Sequence, residues 1–298
     1  MDLWKLLKDF LEYLELERNV SKLTIRNYKH YMERFLAFLG SQSPTPAMIT
    51  PEKIREYRLF LSRYVDPAGI SLKRITQNYH LIALRSFLKF LIKRGIKVVP
   101  PETIELGKAE SRSIKFLERE QIERLLNQPE TARDKAILEV LFSTGLRVSE
   151  LVKLNRDQIN LERREFGVIG KGRRPRVVFL SDTAVSWLKK YLEKRDDLWK
   201  PLFIRYSGKK PSESDESRRL TARSVQRLVE KYVKKARLPV KITPHGLRHS
   251  FATDLLSSGA DLRAIQELLG HKNVSTTQIY THITNPQLRE IHQKFHRK

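Results

Sequence analysis

Two short segments carry residues whose types and spacing can do chemistry. Pro244 to Tyr280 contains PHGLRHSFAT and then LLGHKNVSTTQIYTH, which supply His245, Arg248, His271 and Tyr280. Far upstream, STGLRVSEL supplies Arg147 and Glu150. Cationic and imidazole donors held near a lone phenol make an acid–base site for a phosphate, with tyrosine as the attacking group. A phenol has a pKa of about 10, so it needs help to attack at neutral pH. Each piece also has a plain structural reading. Thr243-Pro244-His245-Gly246-Leu247-Arg248 reads as a capped helix start, which puts His245 and Arg248 on one face. Such a start favours a nearby phosphate, yet it also fits a core histidine and a surface arginine. Gly270 reads as a helix end, with His271 on the loop beyond it. Arg147 and Glu150 read as an i,i+3 surface pair. Lys171, between Gly170 and Gly172, sits at the tip of a hairpin that touches DNA backbone or merely turns.

The elements that must position these residues fall into two groups. Leu3, Leu6, Leu7, Phe10, Leu11 and Leu14 repeat at helical spacing, and Ser21 caps a second helix that ends before Gly40. A third helix spans about residues 52–64 and a fourth runs from near Ser71 to before Gly95, together making a small bundle. Pro100 and Pro101 exclude helix and open a polar stretch. The expected organisation is a helical bundle over 1–99, a linker over 100–113 and a second domain over 114–298. Helices are expected in the latter at 118–127, 132–143, 148–154, 182–194, 221–236, 245–257 and 262–269. FGVIGKGRRPRVVFL alternates about a glycine turn and reads as a β-hairpin. The fold class is therefore mainly α with a small β element, a helical bundle followed by a mixed α+β domain. A tail over 286–298 reads as a short amphipathic helix with Leu288, Ile291 and Phe295 on one side.

Composition narrows the partner. The 298 residues hold 58 basic and 34 acidic side chains, a formal charge of +24. Up to Gly107 there are 18 basic and 11 acidic residues, leaving 40 and 23 beyond it, so both halves are basic. Such an excess calls for a polyanion, because Lys and Arg release counterions from phosphate backbones. A bundle and a second domain on a linker can close on duplex DNA like a clamp. There is no cysteine, which excludes disulfides, thiolate zinc sites and cysteine nucleophiles. No acidic metal cluster or phosphate-binding glycine loop stands out, so neither metal nor cofactor is expected. No apolar run approaches the roughly 20 residues that span a bilayer, and the N-terminus lacks a signal peptide's pattern. The expected location is the cytoplasm, with no membrane partner.

The order Arg147, Lys171 on a hairpin, His245-x-x-Arg248, His271, then Tyr280 resembles the tyrosine recombinase family, the phage-integrase-like site-specific recombinases. The resemblance covers nearly the whole chain, and the compact size is most similar to the Xer type. It implies a SAM-like core-binding domain ahead of the catalytic domain. It implies that Arg147 and Arg248 clamp the non-bridging oxygens of the scissile phosphate, which suits the planar two-donor fork of arginine. His271 adds a donor, and His245 supports the phosphate or accepts the phenol proton. Lys171 protonates the departing 5′ oxygen. Tyr280 is the nucleophile, leaving a 3′-phosphotyrosyl bond, and Glu150 orients rather than reacts. His249 and His282 are expected to be structural neighbours. Exchange of a phosphodiester for a phosphotyrosine needs no ATP, and cations do here what metal ions do in nucleases. The implied activity is site-specific recombination of double-stranded DNA, as a homo-tetramer or a hetero-tetramer with a paralogue, in chromosome or plasmid dimer resolution. The tail is expected to dock on a neighbouring subunit. A phage or mobile-element integrase, a type IB topoisomerase and a DNA-binding module without activity are the competing readings.

Overall fold

The computed structural model describes residues 1–108, 115–170, 175–206 and 215–270. Lys171, His271, Tyr280, His282 and the tail from Pro286 lie outside the described residues. The chain divides into two compact units, Met1–Arg112 and Ser113–Lys298.

The first unit is built from α1 (Leu3–Leu16), α2 (Lys22–Phe38), α3 (Pro51–Arg63) and α4 (Arg74–Lys93). Leu3, Leu6, Leu7, Phe10 and Leu14 bury one stripe of α1. Ser21 caps α2 by accepting the Thr24 N–H at 3.2 Å. Thr50 does the same for α3 from Lys53, with Pro51 in the first turn. Phe10, Phe35, Tyr57 and Phe87 are wholly buried, with Phe10 edge-on to Phe87 and Phe35 edge-on to Tyr57. Each such side chain stabilises the fold by roughly 1.5–3 kcal/mol relative to exposure.

Two boundaries differ from the sequence expectation. The fourth helix begins at Arg74 rather than near Ser71. The Asp66 carboxylate accepts the N–H groups of Ala68 and Ile70, and Ser71 pairs with Val65, so this segment is spent in a turn. The stretch expected as a linker starts as an arm on the bundle. Pro101 and Ile104 are buried, and the Asn78 side chain on α4 donates to the Gly107 carbonyl at 2.7 Å and accepts its N–H at 3.1 Å. An amide side chain satisfying both main-chain groups of one residue holds the chain at Gly107 without helical bonds.

In the second unit follow α5 (Arg119–Leu126), α6 (Ala132–Thr144), α7 (Val148–Leu151), β1 (Glu165–Ile169), β2 (Pro175–Phe179), α8 (Asp182–Glu193), α9 (Ala222–Lys235), α10 (Pro244–Ser257) and α11 (Leu262–Leu269). The expected hairpin is present, with β1 and β2 antiparallel and Phe166 opposite Val178 on the core side. Helix α6 is the centre. Residues 134–141 are buried without a break, and α5, α8, α10 and β2 pack around it. A helix apolar on most sides must lie inside. The three charged residues of this buried run are paired: Tyr232 donates to Asp134 at 2.8 Å, and Lys135 meets Glu139 at 2.9 Å. Helix α7 stops three residues short of the expected end. The Arg219 guanidinium takes the carbonyls of Val152 and Leu154, and Leu202 also donates to Leu154, so tertiary donors replace helical ones. The described residues make a mainly α fold with one small sheet. Among the described residues, no helix is long and apolar enough to cross a membrane.

Candidate active site

STGLR is folded by its glycine. Helix α6 ends where Gly145 adopts a left-handed φ of 58°, and its N–H bonds the Leu141 carbonyl. A Cβ at Gly145 would also lie 2.5 Å from the Phe251 ring, so side-chain space and backbone both demand glycine. The chain re-enters a helix three residues later, at Val148. Arg147 stands just before α7, and Glu150 reaches back to accept its backbone N–H at 2.8 Å. The same carboxylate accepts Arg147 Nη1 at 2.9 Å.

Helix α10 carries the second pair. Thr243 caps it through the Gly246 N–H at 3.4 Å, and Pro244 occupies the first turn. The Ser250 hydroxyl donates to the Gly246 carbonyl and accepts the Leu117 N–H, which ties the first turn to the start of the unit. Arg248 is 2% exposed. Its Nη1 donates to the Gly145 carbonyl at 2.7 Å and its Nη2 to the Leu269 carbonyl at 2.6 Å. Thus the arginine is not the surface residue of the plain reading. One guanidinium joins the end of α6 to the end of α11. Helix α11 begins on an Asp261 cap and ends at Gly270, again left-handed at φ 64°, immediately before His271.

The electrostatics follow from this crowding. Glu150 is buried, which alone would raise its pKa. The Arg176 fork, the Arg147 backbone N–H and the Arg147 side chain outweigh burial and bring it down to about 2. His245 is held below the usual histidine value, first by lost water and then by the positive charges of Arg248 and Arg147. His249 lies at 4.3 Å from the His245 ring, nearly perpendicular, and is lowered to about 4 by burial, His245 and Arg248. Arg147, His245 and Arg248 therefore share one neighbourhood, although a hundred residues separate the first from the last. A neutral imidazole beside two permanent cations can accept a proton while the cations hold an anion.

A sequence model described as the phage integrase family matches residues 115–286, and one for its N-terminal SAM-like domain matches residues 7–95. The chain belongs to the phage integrase family. Tyrosine recombinase XerD of Oceanobacillus iheyensis is 37% identical, over 97% of this chain and 97% of its own length. Tyrosine recombinase XerC of Pelobacter propionicus is 38% identical over 98% of this chain and 95% of that one. Among solved structures, the XerA recombinase is 32% identical with a TM-score of 0.54, covering 99% of each chain. The XerH recombinase, bound to palindromic difH substrate after cleavage, is 25% identical with a TM-score of 0.70, over 92% of this chain and 80% of that one.

Of the motif residues of this integrase-family chain, Arg147, Glu150, His245 and Arg248 are described, and they come together. One further residue was not singled out from sequence. Arg176 on β2 forks onto Glu150, with Nη1 to Oε1 at 3.0 Å and Nη2 to Oε2 at 2.8 Å, and its Nε donates to the Leu268 carbonyl at 3.1 Å. A signal for it existed: Arg176 lies two residues before Val178 and so shares its inward face. An arginine on the core face of a strand needs a buried partner.

Proposed function

We propose that this chain is a site-specific DNA recombinase that cleaves and rejoins duplex DNA through a 3′-phosphotyrosyl intermediate. The observation that carries the reading is that Arg147, Arg248 and His245 share one neighbourhood, with Arg248 bonded to the ends of α6 and α11. In the proposed reaction Arg147 and Arg248 hold the non-bridging oxygens of the scissile phosphate, and His271 adds a third donor. Tyr280 attacks phosphorus as its proton leaves toward His245. Lys171 gives a proton to the departing 5′ oxygen, and Glu150 orients Arg147. Charge that builds on the pentavalent phosphorus meets donors already in place, which is where such donors lower a barrier most. No nucleotide energy is consumed, since one phosphodiester is exchanged for another ester.

The proposed domain division is a DNA-binding bundle over 1–99, a connecting stretch over 100–113 and a catalytic domain from 114 onward. Both basic units bind the same double-stranded site, in the cytoplasm, within a tetramer of this chain or of this chain and a paralogue. The tail from Pro286 couples neighbouring subunits. Relatives named XerD and XerC make resolution of chromosome dimers the biological role that fits best.

The test is covalent capture on a nicked suicide duplex selected from genomic fragments. Wild-type chain is expected to remain attached to the 3′ end, and Tyr280→Phe to bind the same duplex without attachment. Attachment by Tyr280→Phe would overturn the assignment of the nucleophile. Recombination between two matched sites then separates a recombinase from an enzyme that only relaxes supercoils.

A further inference from the structure

Among the described residues, Glu150 has four polar contacts and two cationic partners. Its Oε1 accepts Arg147 Nη1 at 2.9 Å and Arg176 Nη1 at 3.0 Å, while Oε2 accepts the Arg147 backbone N–H and Arg176 Nη2, each at 2.8 Å. A carboxylate offers about four acceptor sites, so all of them are occupied. The two guanidiniums differ in exposure. The Arg176 side chain is 9% exposed, and among the described residues its remaining hydrogen bond goes to the Leu268 carbonyl. The Arg147 side chain is 31% exposed and gives Glu150 only one of its three nitrogens. Its Nε and Nη2 have no partner among the described residues.

The charge count matters here. An arginine paired with one carboxylate is a neutral unit and a poor ligand for a phosphate. With a second arginine on the same carboxylate, the group carries one net positive charge, and the exposed member presents it. The fork geometry sets which member that is. Arg176 takes the carboxylate in the two-pronged manner, and Arg147 touches it edge-on.

We infer that Arg176 is a positioning residue that neutralises Glu150, so that Arg147 meets the scissile phosphate as a full cation with two N–H edges free. The inference rests on the proposed role of Arg147 as a phosphate clamp. In the absence of Arg176 the carboxylate has two vacant acceptor sites beside Arg147. The clamp then closes on Glu150 instead of on the DNA, and its charge is cancelled where the reaction needs it.

The experiment is single-turnover covalent capture on the suicide duplex, with binding measured in parallel. Arg176→Gln is expected to slow capture roughly tenfold to a hundredfold, less than removal of a clamp donor outright. Adding Glu150→Gln to it is expected to restore most of that loss, because the charge to be neutralised is gone. Arg176→Lys keeps the charge without the fork and is expected to lose only a few-fold, which also serves if Arg176→Gln does not fold. In an Arg147→Ala background, Arg176→Gln is expected to add nothing. A double variant as slow as Arg176→Gln, Arg176→Lys as slow as Arg176→Gln, or an undiminished effect in the Arg147→Ala background would each overturn the inference. Wild-type capture by Arg147→Ala alone would instead overturn the clamp reading on which it rests.

Discussion

Each unit holds an arginine-centred polar cluster, and the two clusters are built differently. In the first unit Arg34 touches His80 Nε2 at 3.3 Å, and Tyr57 bonds His80 Nδ1 at 3.1 Å. The Arg34 guanidinium also lies over the Tyr64 ring at 4.3 Å. These partners are neutral, aromatic and weak. In the second unit Arg248 bonds two main-chain carbonyls at the ends of two helices, and Arg176 forks onto a carboxylate. The difference is one of tolerance. A guanidinium on rings can shift by an ångström at little cost. One between the ends of α6 and α11 cannot move without moving both helices. The first arrangement fills a core, and the second fixes coordinates, as a site must when it holds a charge that exists only in a transition state.

The largest expected effect tests that contrast directly. Arg248→Ala is expected to slow covalent capture by about 10²–10³-fold, from loss of one transition-state donor. It should also lower the unfolding free energy by about 1–3 kcal/mol, because the carbonyls of Gly145 and Leu269 lose a buried donor. Arg34→Met should lower stability by about 1 kcal/mol and leave capture within a few-fold of wild type. Comparable capture defects in the two variants would erase the distinction.

Gly145→Ala comes next. The left-handed backbone alone costs about 1 kcal/mol, and the Phe251 ring must move away from a Cβ placed at 2.5 Å. A total loss of about 2–4 kcal/mol is expected on chemical denaturation. Capture should fall as well, because Gly145 supplies a carbonyl to Arg248 and leads into Arg147. Gly69→Ala in the first unit is the matched control. Its φ is also left-handed, at 77°, but nothing lies within 4 Å, so only the backbone cost of about 1 kcal/mol is expected.

How much of this was legible in the sequence follows from the range of the forces involved. Caps and helix ends are local, so Ser21, Thr243 and Gly270 could be read from spacing. The hairpin could be read from alternation. The resemblance placed Arg147, Glu150, His245 and Arg248, and the structure brings them together. What spacing does not carry is competition between distant groups. The early end of α7 depends on Arg219 seizing carbonyls more than sixty residues away. The late start of α4 depends on Asp66 holding a turn. Arg176 was legible in principle, from its parity with Val178, but the run of arginines around it reads first as a DNA-facing tip.

The pH dependence separates the clusters again. His80 is lowered to about 4, by burial first and then by the charges of Arg34 and His30. Between about pH 6.5 and 4 the unfolded chain therefore binds a proton that the folded chain refuses. The stability from neutral His80 is complete above about pH 6.5 and is lost as pH falls toward 4. His249 acts in the same window with the same sign. Glu150, lowered to about 2, acts below it, with stability present above about pH 4.5 and lost toward pH 2. His80→Gln keeps hydrogen-bonding capacity without titrating. It is expected to remove a loss on the order of 1–3 kcal/mol between pH 6.5 and 4 in denaturant titrations. An unchanged slope would show that His80 is not what acid attacks.

The smallest effect sharpens the comparison most cleanly, because the two changes are chemically alike. Ser21 and Thr243 each cap a helix through one hydroxyl, at 3.2 Å to the Thr24 N–H and at 3.4 Å to the Gly246 N–H. Loss of such a cap costs about 0.5–2 kcal/mol. Ser21→Ala and Thr243→Ala should therefore destabilise the chain by similar amounts. Their consequences for chemistry should differ. The Thr243 cap fixes the first turn of α10, where His245 and Arg248 leave the backbone, so a frayed turn displaces both at once. The Ser21 cap fixes a turn of the bundle far in sequence from any motif residue. Thr243→Ala is expected to slow capture several-fold at a temperature where the chain is fully folded, and Ser21→Ala to leave the rate unchanged. Equal rates in the two variants would mean that the first turn of α10 is held by Ser250 and its partners rather than by its cap.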